Sequence, residues 1–151
     1  MIDPNYISGY VDGEGSFLVS FSPRRKLLTG LEVRPSFSIS QRKDRSEVLS
    51  LIKSFFDCGS IRFNSSDQTK KYEVRSLKNL IEVIIPHFKI YPLLSSKIKD
   101  FELFSQICEM MQKGEHKTKK SLIKIINLAC KMNIGGSRRY LEKELLSRLK
   151  I

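Results

Sequence analysis

Polar and apolar residues alternate strictly near the start of the chain. Phe17, Val19 and Phe21 occupy every second position, with Ser16, Leu18, Ser20 and Ser22 between them and Arg24 extending the polar series. Period two marks a strand with one face in a core and the other in water. A second alternation follows the Thr29-Gly30 turn, with Val33, Phe37 and Ile39 set against Glu32, Arg34, Ser36, Ser38 and Ser40. The two predict a hairpin that buries one side and offers the other, bulged or near an edge at Pro35. Before the hairpin, Ile7, Tyr10 and Val11 share one side of a short helix.

Helical spacing takes over with Val48, Leu51, Ile52, Phe55 and Phe56, and Asp57-Cys58-Gly59 ends it. Residues 60–64 and 70–75 read as a second strand pair around a polar turn, Ile61, Phe63, Tyr72 and Val74 facing inward and Arg62, Asn64, Lys71, Glu73 and Arg75 outward. Leu77, Leu80, Ile81, Ile84, Ile85 and Phe88 give another helix face, stopped around Pro86 and Pro92. The remainder is helical: Phe101, Phe104, Cys108 and Met111 on one face, Leu122, Ile125, Ile126, Ala129 and Met132 on the next. A glycine-rich break at 133–137 follows, with Ser137 as N-cap of a last helix bearing Leu141, Leu145 and Leu149.

This order predicts an α+β domain over residues 1–151, with an αββαββα core at 1–112 and a helical extension at 113–151. Charge narrows its role. Lys and Arg number 27 against 16 Asp and Glu, a net charge of +11, which is the electrostatic footprint of a nucleic-acid binder. Cys58, Cys108 and Cys130 have no zinc-like spacing and read as buried thiols in a reducing compartment, and His87 and His116 lack ligand-spaced partners. No apolar run is long enough for a membrane span, and no targeting segment is evident, so the expected place of action is the compartment of synthesis.

The chemistry concentrates in Ile7-Ser8-Gly9-Tyr10-Val11-Asp12-Gly13-Glu14-Gly15, present once. Gly9 and Gly13, four apart, bare one helix face and let a second helix approach closely. Glu14 falls near the helix C-terminus, where the dipole disfavours an anion by about 0.3–1 kcal/mol. An acid so placed, framed by glycines, points to function, and a divalent cation would reverse the local penalty.

This run resembles the motif of LAGLIDADG homing endonucleases, and the αββαββα order resembles their fold, four strands forming a saddle over DNA. The resemblance implies Glu14 as catalytic metal ligand, the Gly13 carbonyl as a second ligand, and Asp12 as a structural or supporting acid. It implies Mg²⁺, with Mn²⁺ as a substitute, and no small-molecule substrate. Gln41 would help position solvent, Arg45 would lie near the scissile phosphates, and Lys97 would face the reaction centre. Readers of double-stranded DNA would be Ser20, Ser22, Arg24, Glu32, Arg34 and Ser38 on the first hairpin. Arg62, Asn64, Lys71, Glu73 and Arg75 would join them on the second, because a β-ribbon fits the major groove. The clusters at Lys113, Lys117, Lys119, Lys120 and at Arg138-Arg139 would add flanking phosphate contacts.

A single motif implies a homodimer, with Gly9, Tyr10, Asp12 and Gly13 at the interface and a near-palindromic target. Such genes sit in introns, which implies a chloroplast or mitochondrion if the gene is organellar and a bacterial cytoplasm otherwise. Two alternatives share the fold, an RNA-binding intron maturase and a non-cleaving DNA-binding regulator.

Overall fold

The computed structural model describes residues 1–136 and 140–149, so Ser137 and Arg138-Arg139, expected as a helix cap and a basic cluster, lie outside the described residues. The elements run α1 (Pro4–Glu14), β1 (Gly15–Pro23), β2 (Leu31–Arg42), α2 (Glu47–Phe56), β3 (Ser60–Asn64), β4 (Thr69–Val74), α3 (Leu77–Asn79), a π-helical turn (Leu80–Ile84), α4 (Ile85–Ile90), α5 (Lys97–Gln112), α6 (Lys119–Cys130) and α7 (Glu142–Ser147). The four strands form one sheet in the order β1-β2-β4-β3. The α+β expectation and the αββαββα order are met, with further helices after them.

The chain packs as two compact units, one of Met1–Phe17 with Ser36–Ile98, the other of Leu18–Pro35 with Lys99–Ile151. In the first, Asp3 caps α1 by accepting from the Asn5 amide at 2.7 Å, and Pro4 supplies a helical φ at the first position. Ile7 and Val11 bury completely. Phe37 on β2 is the hub of an aromatic core, its ring 5.3 Å from that of Phe17, 5.6 Å from Phe88 and 6.3 Å from both Phe56 and Tyr72. Gly59 turns the chain from α2 into β3 at φ 81°, where a Cβ would stand 2.7 Å from the Glu73 carbonyl. Only glycine fits that approach.

In the second unit, Phe101, Phe104, Cys108 and Met111 of α5 and Leu122, Ile125, Ile126 and Ala129 of α6 are buried, as their helical spacing predicts, and Ile107 joins them. Asp100 accepts from the Asn133 amide at 2.9 Å and so ties the start of α5 to the turn after α6.

Several expectations need correction. The helix does not stop at Pro86. The wide turn, in which the Ile85 amide reaches the Leu80 carbonyl, makes room for the proline ring and carries the helix on to Ile90. On α2 the buried residues are Leu49, Ile52 and Phe56, while Leu51 is exposed. Phe63 is 48% exposed instead of inward, because it stands on an outer strand beside the β3–β4 turn, with the Lys43 ammonium 5.2 Å from its ring centre. Pro35 does lie at a local edge, since β4 pairs with β2 only from Phe37 onward.

Candidate functional site at the end of helix α1

Helix α1 buries Ile7, Ser8 and Val11 and leaves Tyr6, Gly9, Gly13 and Glu14 in solvent. A Cβ added at Gly9 or Gly13 would meet nothing within 4 Å among the described residues, so these make no steric demand for glycine there. Gly15 is different. A Cβ would approach the Val11 carbonyl to 2.9 Å, which fixes the tight passage from α1 into β1 just past Glu14.

Asp12 turns into its own chain. Its carboxylate accepts from the Leu94 amide at 2.8 Å, the Ser95 amide at 3.2 Å and the Ser95 hydroxyl at 2.7 Å. Burial alone would raise this carboxyl, but those three donors and the nearby Lys97 ammonium outweigh it and hold it below its ordinary value. Lys97, first residue of α5, reaches back to the same helix, its Nζ donating to the Val11 carbonyl at 2.7 Å and the Asp12 carbonyl at 3.0 Å. A cation on the last-turn carbonyls opposes the negative end of the helix dipole, where Glu14 also sits.

Gln41, at the end of β2, donates to the Tyr10 hydroxyl at 3.0 Å and accepts from the Arg42 amide at 2.9 Å. Gln41, Arg45, Tyr6 and Tyr10 line one side of an open groove of about 740 Å³, completed by the start of α2. The structure thus brings Gln41 and Lys97 to α1, and Arg45 lines the same groove as Gln41.

The expected DNA face divides between the two units. In the first, strand register sets Ser40, Lys71 and Arg62 in one cross-strand row, and Ser38, Glu73 and Ser60 in the next. Arg62 is exposed. Ser38 is buried and Glu73 only 9% exposed, so neither is the open polar position expected. Lys71 at 3.2 Å and Arg75 at 2.9 Å clasp the Glu73 carboxylate, which accounts for its withdrawal. Asn64 spends its side-chain oxygen on the Ser66 amide and hydroxyl, closing the β3–β4 turn. In the second unit Ser20 and Arg34 are exposed, the Ser20 hydroxyl donates to the Arg34 carbonyl at 3.3 Å, and Ser22 is half-buried. Arg24 pairs with Glu32 at 3.0 Å.

Leu94, Ser95, Ser8 and His87 were not anticipated. Ser8 Oγ donates to the Tyr91 carbonyl at 2.6 Å and lies 3.3 Å from His87 Nε2. The serine pair before Lys97 at a helix entry was the one available cue for the first two. Among the described residues no three His, Cys, Asp or Glu side chains converge on a point that could hold a metal. The donors at the end of α1, the Glu14 carboxylate and backbone carbonyls, are hard oxygens of the kind Mg²⁺ takes, but one chain offers few of them. No described helix is long and apolar enough to cross a membrane.

Residues 7–108 match the family model of LAGLIDADG endonucleases. The probable intron-encoded endonuclease 2 of Neurospora crassa is 31% identical over 138 residues, which cover 91% of this chain and 30% of that protein. The homing endonuclease I-ApeII of Aeropyrum pernix is 33% identical over 68% of the chain and 60% of its own length. Among solved structures, the homing endonuclease I-TnaI superposes with a TM-score of 0.88 at 38% identity, covering 97% of both chains. I-SmaMI, bound to an uncleaved DNA target with calcium ions, gives 0.86 at 34% identity over 91% of this chain and 47% of that one. The chain spans about a third or less of the curated fungal relatives it matches, 26–35% of their length.

Proposed function

The chain belongs to the LAGLIDADG endonuclease family, and from that premise we propose that it is a site-specific double-strand DNA endonuclease of the intron-homing kind, working as a homodimer with Mg²⁺ or Mn²⁺. The observation that carries the proposal is α1 itself. It presents an exposed acid at its C-terminal end and a glycine face where an added Cβ would meet nothing within 4 Å among the described residues. A second copy laid on that face would bring two Glu14 carboxylates together, one for each DNA strand. The match to I-TnaI end to end, and to about half of I-SmaMI, supports one motif per chain.

The residues present fit a divalent ion as a shared site: Glu14 and the Gly13 carbonyl would hold it, and the partner copy would complete the donor set. When bound, such an ion activates water and neutralises charge developing on the phosphate. The chain's own residues do the rest. Lys97 places positive charge at the end of α1, which stabilises a phosphorane-like transition state electrostatically. Gln41, fixed by Tyr10 and the Arg42 amide, is oriented to hold solvent, and Arg45 on the same groove offers a guanidinium to phosphate. Arg34 and Arg62, both exposed on the sheet, would be candidates to read guanine. The intron-encoded relatives support an intron as the setting of the gene, with action in an organelle where that intron is organellar.

The test is cleavage of a plasmid carrying the intron-free insertion site. With Mg²⁺ the protein should cut both strands, EDTA should stop it, and Glu14→Gln should abolish cutting while leaving DNA affinity within about tenfold. Full activity in the glutamine variant would overturn the ligand assignment. Tight binding with no cleavage in either metal would favour a regulator, and splicing stimulation by that inactive protein a maturase.

A further inference from the structure

We propose that Asp12 is a positioning residue that fixes the Lys97 ammonium at the end of α1, acting through Ser95. Its consequence for catalysis rests on the endonuclease reading above. The hydrogen bonds form a closed ring. Asp12 holds the turn at Leu94 and Ser95 through three donors, at 2.8, 3.2 and 2.7 Å. Because the Ser95 hydroxyl gives its proton to Asp12, its free lone pairs accept the Lys97 amide, at 3.2 Å. That bond anchors the start of α5, and from there the lysine side chain returns to α1, onto the Val11 and Asp12 carbonyls at 2.7 and 3.0 Å. Asp12 therefore grips both ends of the loop, the turn with its side chain and the ammonium with its backbone.

A lysine stem left to itself has several rotamers and a strongly hydrated head, so a carbonyl cradle alone holds it poorly. The charge-assisted bonds from Asp12 to the turn remove much of that freedom by fixing where the stem begins. Asp12 lies two residues before Glu14 and has its carboxylate turned to Leu94 and Ser95. It serves the site by setting the distance between the Lys97 charge and the Glu14 end of the helix.

Reductive methylation of lysines in the metal-free protein, followed by mass spectrometry, reads the position of Lys97 without any cleavage. Asp12→Asn and Ser95→Ala should raise the labelling rate of Lys97 about tenfold, the equivalent of one lost charge-assisted hydrogen bond, while Ser95→Thr should keep it low. A rate that does not respond to Asp12→Asn and Ser95→Ala overturns the proposal. Single-turnover cleavage at saturating DNA then asks whether Asp12 acts through Lys97. Asp12→Asn should cost about tenfold in rate at unchanged DNA affinity in the native background, and nearly nothing further in Lys97→Met. Equal losses in both backgrounds would place the effect of Asp12 elsewhere and also overturn it. A native protein that binds DNA and never cuts it refutes the endonuclease reading alone, since the labelling result still decides the role of Asp12.

Discussion

At the scale of single residues, what surrounds a polar side chain decides what it can do, and the sequence does not show those surroundings. Glu14 stands out because an acid at the wrong end of a helix needs a reason, whereas Lys97 was singled out through the family resemblance alone. Nothing in the sequence says that Asp12 bonds residues 82 and 83 positions away, because side-chain pairing over that distance leaves no periodic trace. His87 is the clearest case. It looked like a histidine without partners, and the structure seals it among Phe55, Phe56, Phe88 and Tyr91, facing Ser8 on α1, with no carboxylate or ammonium among these contacts. Loss of solvent pulls it from its ordinary 6.5 down to about 4. The unfolded chain therefore takes up a proton near pH 6.5 that the folded chain refuses until about pH 4. This contribution to stability is full above pH 6.5 and drains away as pH falls through that window, about 2 kcal/mol of it by pH 5. Urea unfolding at pH 7.5 and 5 should reveal that loss in the native protein, and His87→Phe, which keeps a ring in the cage, should flatten it.

At the scale of elements, strands with one buried face were readable because period two survives in sequence, whereas the position of a strand within the sheet does not. Phe63 was misassigned for that reason: on an inner strand it would be covered, and on outer β3 it is not. The helix through Pro86 was misread because the wide turn that admits the proline is a backbone solution with no composition signal. Helix α1 is where an element-level reading makes a sharp demand. A Cβ added at Gly9 or Gly13 would meet nothing within 4 Å among the described residues. Gly9→Leu should therefore leave the isolated fold intact, and by relieving a mid-helix glycine should even stabilise it by about 0.5–1 kcal/mol. If a second α1 crosses there, the same change should split the dimer by overpacking the contact. Sedimentation at micromolar concentration should then find a dimer for the native chain and a folded monomer for Gly9→Leu. A dimer in both would mean that the copies meet on another surface.

At the scale of the whole molecule, net charge points to a class of partner and says nothing about its sequence. The excess of 27 basic over 16 acidic residues lies mostly in the second compact unit, at +9 against +2 in the first. Part of it is already paired, as Arg24 is with Glu32 and as Lys71 and Arg75 are with Glu73. The solvent-facing Arg24–Glu32 pair is weak in water and can exchange its carboxylate for a phosphate at little cost, whereas stripping the nearly buried Glu73 of Lys71 and Arg75 would leave an unpaired carboxylate at a higher cost. Affinity for DNA of any sequence should accordingly follow counterion release. A dimer engaging six or more phosphates should lose about a thousandfold in affinity between 50 and 200 mM salt. Discrimination should behave otherwise. Arg34 has an exposed side chain and sits on β2, so Arg34→Glu should alter which bases are tolerated at one position in each half-site, with the salt slope changed by only about one unit. Fluorescence anisotropy on a cognate duplex and a scrambled one, each across a salt series, separates the two contributions. A salt slope near zero would contradict a phosphate-dominated interface. An Arg34→Glu protein that weakens on both duplexes equally would assign that arginine to the backbone, and leave sequence reading to the β3–β4 hairpin.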